Sequence, residues 1–153
     1  MIPAQDHQNQ IVSFRLKDTP MGVPILDIRE ILPMIPLTPV QMAQPHIAGL
    51  VNLRGRILTI LDMAVLLGME PVTPTALTHM VVFKHHDAGF WVDEIGDVIT
   101  PETKSIAPIP ANMGAELQAG SRHMIKLPRE VVVVLEPEKI LRPLISDPAG
   151  GDR

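Results

Sequence analysis

The feature that most limits what this chain can fold into is an internal repeat. Laying the segment that begins at Val51 onto the one that begins at Ile125, an offset of 74, pairs Leu53 with Leu127, Ile57 with Val131, Leu58 with Val132, Ile60 with Val134 and Leu61 with Leu135. The register continues through Asp62 on Glu136, Leu66 on Ile140 and Leu67 on Leu141, so nine of seventeen positions match in chemistry. Upstream, Phe14 falls on Phe83 and Asp18 on Asp87 at an offset of 69, a looser match between two hairpin-like segments. Two copies indicate a duplicated β unit rather than a solenoid, because stacked repeats need three or more units to bury their faces.

Sixteen prolines, ten glycines and only four aromatic residues (Phe14, Phe83, Phe90, Trp91) divide the chain into many short elements with aliphatic cores. Ile11 to Leu16 reads as a strand, Lys17 to Gly22 as its turn and Val23 to Leu26 as the return strand. Asp27 and Glu30 have capping-box spacing and open a short helix that Pro33 stops; Gln44 to Gly49 repeats the idea more weakly. Leu50 to Leu61 is a long β-rich segment expected to be buried on both faces, and Asp62 caps a helix over Met63 to Leu67 that ends at Gly68. Beyond a Pro- and Thr-rich linker, Glu70 to Thr78, the segments Met80 to Phe83 and Phe90 to Ile99 form a second hairpin around His85 to Gly89. Pro101 to Gly120 is unpatterned, with room for one turn. Val131 to Leu135, five consecutive aliphatics, is a core strand, followed by a helix over about 137–142. The reading is a single domain over 10–142, with a first β unit at about 10–68, a second at about 79–142, and flexible tails at 1–9 and 147–153.

Composition removes several function classes. With 13 Lys plus Arg against 17 Asp plus Glu, and no concentration of positive charge, nucleic acid is not an expected partner. Cysteine is absent, which excludes disulfides, thiolate zinc sites and a cysteine nucleophile. No apolar run approaches the roughly 18 residues of a membrane span, and the polar start lacks the layout of a signal peptide, so the expectation is a cytoplasmic protein without membrane insertion. His85, His86 and Asp87 are metal-ligand types, but neighbours in a strand point to opposite faces and turn residues face solvent, so no metal is assigned. Ser13, Ser105 and Ser146 lack a nucleophile elbow and no glycine-rich phosphate loop is present. No catalytic residue and no cofactor are therefore expected. A groove for proline-rich peptides would need more aromatics than this chain has.

Where the copies differ, packing alone does not explain the residues. Arg54 and Gly55 stand opposite Pro128 and Arg129, so the same turn is filled differently in the two copies. Arg54 offers a permanently charged five-donor fork, and Gly55 lets the backbone bend or approach a partner closely. The competing reading is a bulge glycine beside a solvated arginine.

The run Gly49-Leu-Val-Asn-Leu-Arg54-Gly55-Arg-Ile-Leu-Thr-Ile-Leu-Asp62 resembles the signature of the CheW-like domain, the adaptor module of bacterial chemotaxis arrays. Phe14-Arg15-Leu16 resembles that family's first strand, Ile25 to Ile31 its hydrophobic-variable-glutamate segment, Val92-Asp93-Glu94-Ile95 its acidic motif and Val131 to Leu141 its closing strand and helix. The likeness covers residues 10 to 142. It implies a mainly β fold of two packed, SH3-like, five-stranded barrels. It further implies a non-enzymatic scaffold, of the length of stand-alone adaptors, coupling transmembrane chemoreceptors (methyl-accepting chemotaxis proteins) to the regulatory domain of the histidine kinase CheA at membrane-associated arrays. Other adaptor copies, in rings, are a further implied partner.

By position, the implied receptor-contact residues are Ile28 and Glu30 in the short helix, Gly49, Arg54 and Gly55. A receptor tip is a helical hairpin, so recognition would seat helix side chains in an apolar groove and pair Arg54 with a receptor carboxylate. The sequence departs from the family at Met21, Thr59 and Pro24; Pro24 removes a ladder donor, which makes its strand an edge or irregular, and no kinase-contact residue is assigned. A paralogous adaptor of a system controlling pili or gene expression would use the same residues.

Overall fold

Short aliphatic runs separated by proline, glycine and two-residue turns give eleven strands and three short helices in a computed structural model that describes residues 9–145. Of the expected tails at 1–9 and 147–153, residues 1–8 and 147–153 lie outside the described residues. In chain order the elements are β1 (Ile11–Leu16), β2 (Thr19–Pro24), β3 (Ile28–Pro33), β4 (Ile47–Leu53), β5 (Arg56–Asp62), α1 (Met63–Leu66), β6 (His79–Phe83), β7 (Ala88–Val92), β8 (Glu94–Ile99), β9 (Ile106–Ala107), α2 (Ala115–Gly120), β10 (Ser121–Lys126), β11 (Val131–Leu135) and α3 (Pro137–Ile145).

The strands form a six-stranded sheet, in the order β8-β1-β2-β11-β10-β9, and a five-stranded sheet, in the order β3-β6-β7-β5-β4. The mainly β fold in two sheets is the expected one. The expected closed five-stranded barrels are instead two open ladders of unequal strand number. In the five-stranded sheet an isolated bridge, Thr38 to Leu50, joins the chain beyond β3 to the far edge strand β4. It stands where β9 stands beside β10 in the other sheet.

The duplication holds in register. Val51 pairs with Leu58 across β4 and β5, and Ile125 pairs with Val132 across β10 and β11, both at the offset of 74. Each of these hairpins runs parallel to a second hairpin, β5 on β7 and β11 on β2. Each sheet therefore draws on both halves of the sequence, since β1 and β2 join strands β8 to β11.

This interleaving explains the unbroken aliphatic strands, which have apolar residues on both faces because both faces are buried. Val133 and Leu135 enter a core shared between the sheets with Phe14, Phe83 and Phe90, whereas Val132 and Val134 pack with Ile11 and Ile125 on the opposite face. In the other sheet Val81 and Phe83 face the shared core, while Met80 and Val82 join Val51, Leu58 and Ile60. Asp62 caps α1 as expected, its carboxylate accepting from the Val65 N–H at 3.3 Å and also from the Val72 N–H at 3.0 Å.

Several expected elements differ. The helix expected from Asp27 is a 3-10 turn at Ile25–Asp27 followed by strand β3, because six residues before a proline are too few to hold a helix while β6 offers a full ladder. Gln44 to Gly49 is likewise a turn leading into β4. Leu50 to Leu61 is not one strand buried on both faces but a hairpin, with Ile57 56% exposed beside its turn. The first turn narrows to Lys17 and Asp18, both at positive φ. Phe90 to Ile99 breaks at Asp93, and β8 crosses to the other sheet to pair with β1. The unpatterned stretch 101–120 holds a 3-10 turn, β9 and α2. Strand β2 lies inside its sheet, between β1 and β11, and tolerates Pro24 because proline is its last residue.

Candidate functional site

The divergent turn is a two-residue hairpin loop. Leu53 and Arg56 close it, and Arg54 and Gly55 both adopt positive φ, 54° and 88°. That is the backbone of a type I′ turn, whose twist matches the flanking strands. Glycine adopts it freely, but an arginine at the first position costs on the order of 1 kcal/mol. Asn52 holds the turn: its Oδ1 accepts the Gly55 N–H at 2.9 Å. The spacing from Asn52 to Gly55 was the signal for this role, which sequence reasoning missed because it quoted Asn52 within the run but gave a site role only to Arg54 and Gly55. At the equivalent turn of the second copy neither Pro128 nor Arg129 has positive φ, as proline's ring requires of Pro128.

The turn aims Arg54 at Glu30. Nη1 and Nη2 donate to the two carboxylate oxygens at 2.7 and 2.8 Å, a bidentate pair that joins the tip of the β4–β5 hairpin to the opposite edge strand β3. Glu30 sits at a register shift in β3, where neighbouring Arg29 instead donates to the Lys84 carbonyl at 2.9 Å. Arg54 is 68% exposed and Glu30 23% exposed, so the fork has one side against β3 and the other in solvent. The hydrogen bond from Arg54 holds the Glu30 carboxyl below the usual glutamate range.

Of the five expected contact residues, the structure joins Glu30, Arg54 and Gly55 and separates the other two. Ile28, in β3 and not in a helix, is partly buried against the shared core. Gly49 is buried in β4 under the crossing chain, where a Cβ would stand 2.9 Å from both Leu37 Cβ and the Thr38 carbonyl oxygen. Its lack of a side chain is what lets Thr38 exchange backbone hydrogen bonds of 2.8 Å with Leu50.

A separate cavity of about 380 Å³ opens beside β5, with Ile47, Leu61, Leu141 and Leu144 on its apolar wall and His46 and His86 on its polar one. None of the five expected residues lines it. The histidine cluster divides here. His86 Nε2 lies 2.7 Å from Glu138 and ties the β6–β7 turn to α3, and Asp87 pairs with Arg56. Among the described residues no group of three or more His, Asp or Glu is placed to hold a metal, and no helix is long and apolar enough to cross a membrane.

Residues 10–144 match the CheW-like domain family. The chain is 28% identical over 143 residues to the probable chemotaxis protein CheW of Rhizobium etli, covering 92% of each chain. It is also 28% identical to the chemotaxis protein CheW of Rhizobium meliloti, over 86% of each. Among solved structures, the scaffolding protein TtCheW of Thermoanaerobacter tengcongensis superposes with a TM-score of 0.75 at 22% identity, over 84% of this chain and 89% of that one.

Proposed function

The chain belongs to the CheW-like domain family, and from that premise we propose that it is a non-catalytic chemotaxis adaptor, coupling the cytoplasmic tips of chemoreceptors to the histidine kinase CheA at receptor arrays in the cytoplasm. The observation that carries this reading is the Arg54–Glu30 pair. Its Arg54 side is mostly in water, and ion pairs open to solvent contribute only about 0 to 1 kcal/mol. The left-handed turn that presents it offsets that gain, and the second copy folds the same hairpin without it. Stability therefore leaves the arrangement unexplained, whereas contact with a partner explains it.

In this reading the pair is a preformed polar clamp. Glu30 holds the guanidinium in one orientation, which reduces the ordering a partner must impose. A receptor carboxylate can then bridge to the exposed side of Arg54, with charge-assisted hydrogen bonds of about 1.5 to 3 kcal/mol once water is excluded. Gly49 and Ile28 act through the fold, by letting the crossing chain close over β4 and by anchoring β3.

The test is co-sedimentation of the purified chain with receptor-containing membranes and the kinase from the same organism, comparing the parent with Arg54→Glu. The parent is expected in the pellet and the variant in the supernatant. A variant that sediments like the parent would remove Arg54 from the contact, and a folded parent that stays in solution would overturn the adaptor reading.

A further inference from the structure

Strand β3 pairs with β6 in a broken register. Ile28 lies opposite Phe83 and Glu30 opposite Val82, so Arg29 is the extra residue of a β-bulge. The bulge decides where Glu30 points. In an unbroken strand Ile28 and Glu30, two positions apart, would share a face. Here Ile28 and Ile31, three positions apart, both pack against the core shared between the sheets, while Leu32 packs on the opposite side with Val51, Leu58 and Met80. Glu30 therefore lies on the face of Leu32, and Leu53, the residue before Arg54, packs on that same side. In a regular β3, Ile28 and Glu30 would compete for one face, and only one of them could reach its partner.

Arg29 holds the bulge. It is exposed, and its Nη2 donates at 2.9 Å to the carbonyl of Lys84, just past the end of β6. The Lys84 N–H donates in turn to the Asp27 carbonyl at 2.9 Å, so the chain before the bulge and the bulged residue itself both bind the backbone of Lys84. A guanidinium on a carbonyl makes a charge-assisted bond. The other half of the duplication shows that the fold does not require this lock. As β3 follows the β1–β2 hairpin and pairs with β6, so β8 follows the β6–β7 hairpin and pairs with β1, also in shifted register. No arginine stands in β8, and its irregular stretch is held by the Ser13 hydroxyl, which donates to the Asp97 carbonyl at 2.7 Å. An irregular strand belongs to both units, whereas the arginine stands in the one strand that carries half of the clamp.

We propose that Arg29 is a positioning residue of the receptor clamp: by fastening the β3 bulge to the end of β6, it keeps Glu30 on the face where Arg54 reaches it. This rests on the receptor-coupling reading above, and it assigns Arg29 a role through Glu30 rather than a contact of its own.

The experiment measures binding of the full chain to receptor-containing membranes, the melting temperature, and the titration of the Glu30 carboxyl by NMR. It compares the parent, Arg29→Ala, Arg29→Lys, Glu30→Gln, Arg54→Glu and the double variant Arg29→Ala with Glu30→Gln. In the parent the hydrogen bond from Arg54 holds the Glu30 carboxyl below the usual glutamate range, and the charge of Arg29 adds least to that lowering. Arg29→Ala should melt close to the parent, return Glu30 to the ordinary range and bind about tenfold more weakly. Arg29→Lys retains a charged donor for the Lys84 carbonyl and should stay within about threefold of the parent. In the Glu30→Gln background the same Arg29→Ala change should cost no further affinity. If it costs the same there, and Glu30 titrates as in the parent, Arg29 touches the receptor directly and the positioning role is overturned. A large fall in melting temperature with the Glu30 titration unmoved would reassign Arg29 to the fold. If Arg29→Ala binds like the parent while Arg54→Glu does not, the positioning role is wrong and receptor coupling stands. A folded parent that does not bind overturns both readings.

Discussion

At Arg54 backbone and side chain pull in opposite directions, a left-handed turn residue that is not glycine carrying a guanidinium that finds Glu30 at 2.7 Å. Because Arg54 is mostly exposed, Arg54→Glu should leave the melting temperature nearly unchanged in a thermal scan while it abolishes receptor binding; a large drop in stability would reassign Arg54 to the fold. Acid acts at the same scale. Hydrogen bonds from Arg54 and from Arg122 lower the carboxyls of Glu30 and Glu136, so both contribute stability that is present above the ordinary glutamate range near pH 4.3 and is lost as pH falls through their lower folded values. Asp27 runs the other way. Burial raises its carboxyl, a shift whose contribution is complete at low pH and lost as pH rises through the folded value. Asp27→Asn should therefore raise the melting temperature at pH 7 and leave it unchanged near pH 3. A lower melting temperature at pH 7 would mean that the ionised Asp27 is compensated by Arg122, 95 positions along the chain, more fully than its burial indicates.

Among the elements, the β4–β5 hairpin carries most of the argument. Leu58 is 1% exposed and packs with Val51, Ile60, Met80 and Val82. Leu58→Asp places an unpaired carboxylate there and should abolish the folded far-ultraviolet spectrum at 25 °C; a variant that melts like the parent would contradict the packing. The repeat of this segment at β10–β11 and the cap at Asp62 were legible because their apolar spacing and end signals agree, whereas the hairpin itself read as one continuous segment. The boundary at Arg54–Gly55 was hidden by Ile57, an apolar residue on the solvent side that made the segment look continuous. Strand β3 was hidden for a different reason, because Asp27 and Glu30 have a helix-opening spacing that only the ladder with β6 overrules. The partner of Arg54 was beyond local reading altogether, since Glu30 is 24 residues away and reaches it only once the sheet edges are brought together.

For the whole molecule, the shared core is the controlling fact. Phe14 from one sheet packs edge-on to Phe90 from the other, with centroids 5.5 Å apart, and Phe83 lies 5.3 Å from Phe90. Neither sheet can bury this face without the other. Phe90→Ala should lower the unfolding free energy by about 3 to 5 kcal/mol in denaturant titration and keep one cooperative transition; two separated transitions would mean that the sheets fold independently. The direct measurement is a reconstitution in which kinase autophosphorylation is followed on receptor-containing membranes with no adaptor, with this chain, and with Arg54→Glu. Receptor-dependent kinase control that appears with this chain alone is the predicted result. Control that is equally strong without the chain, or with the variant, would contradict the account.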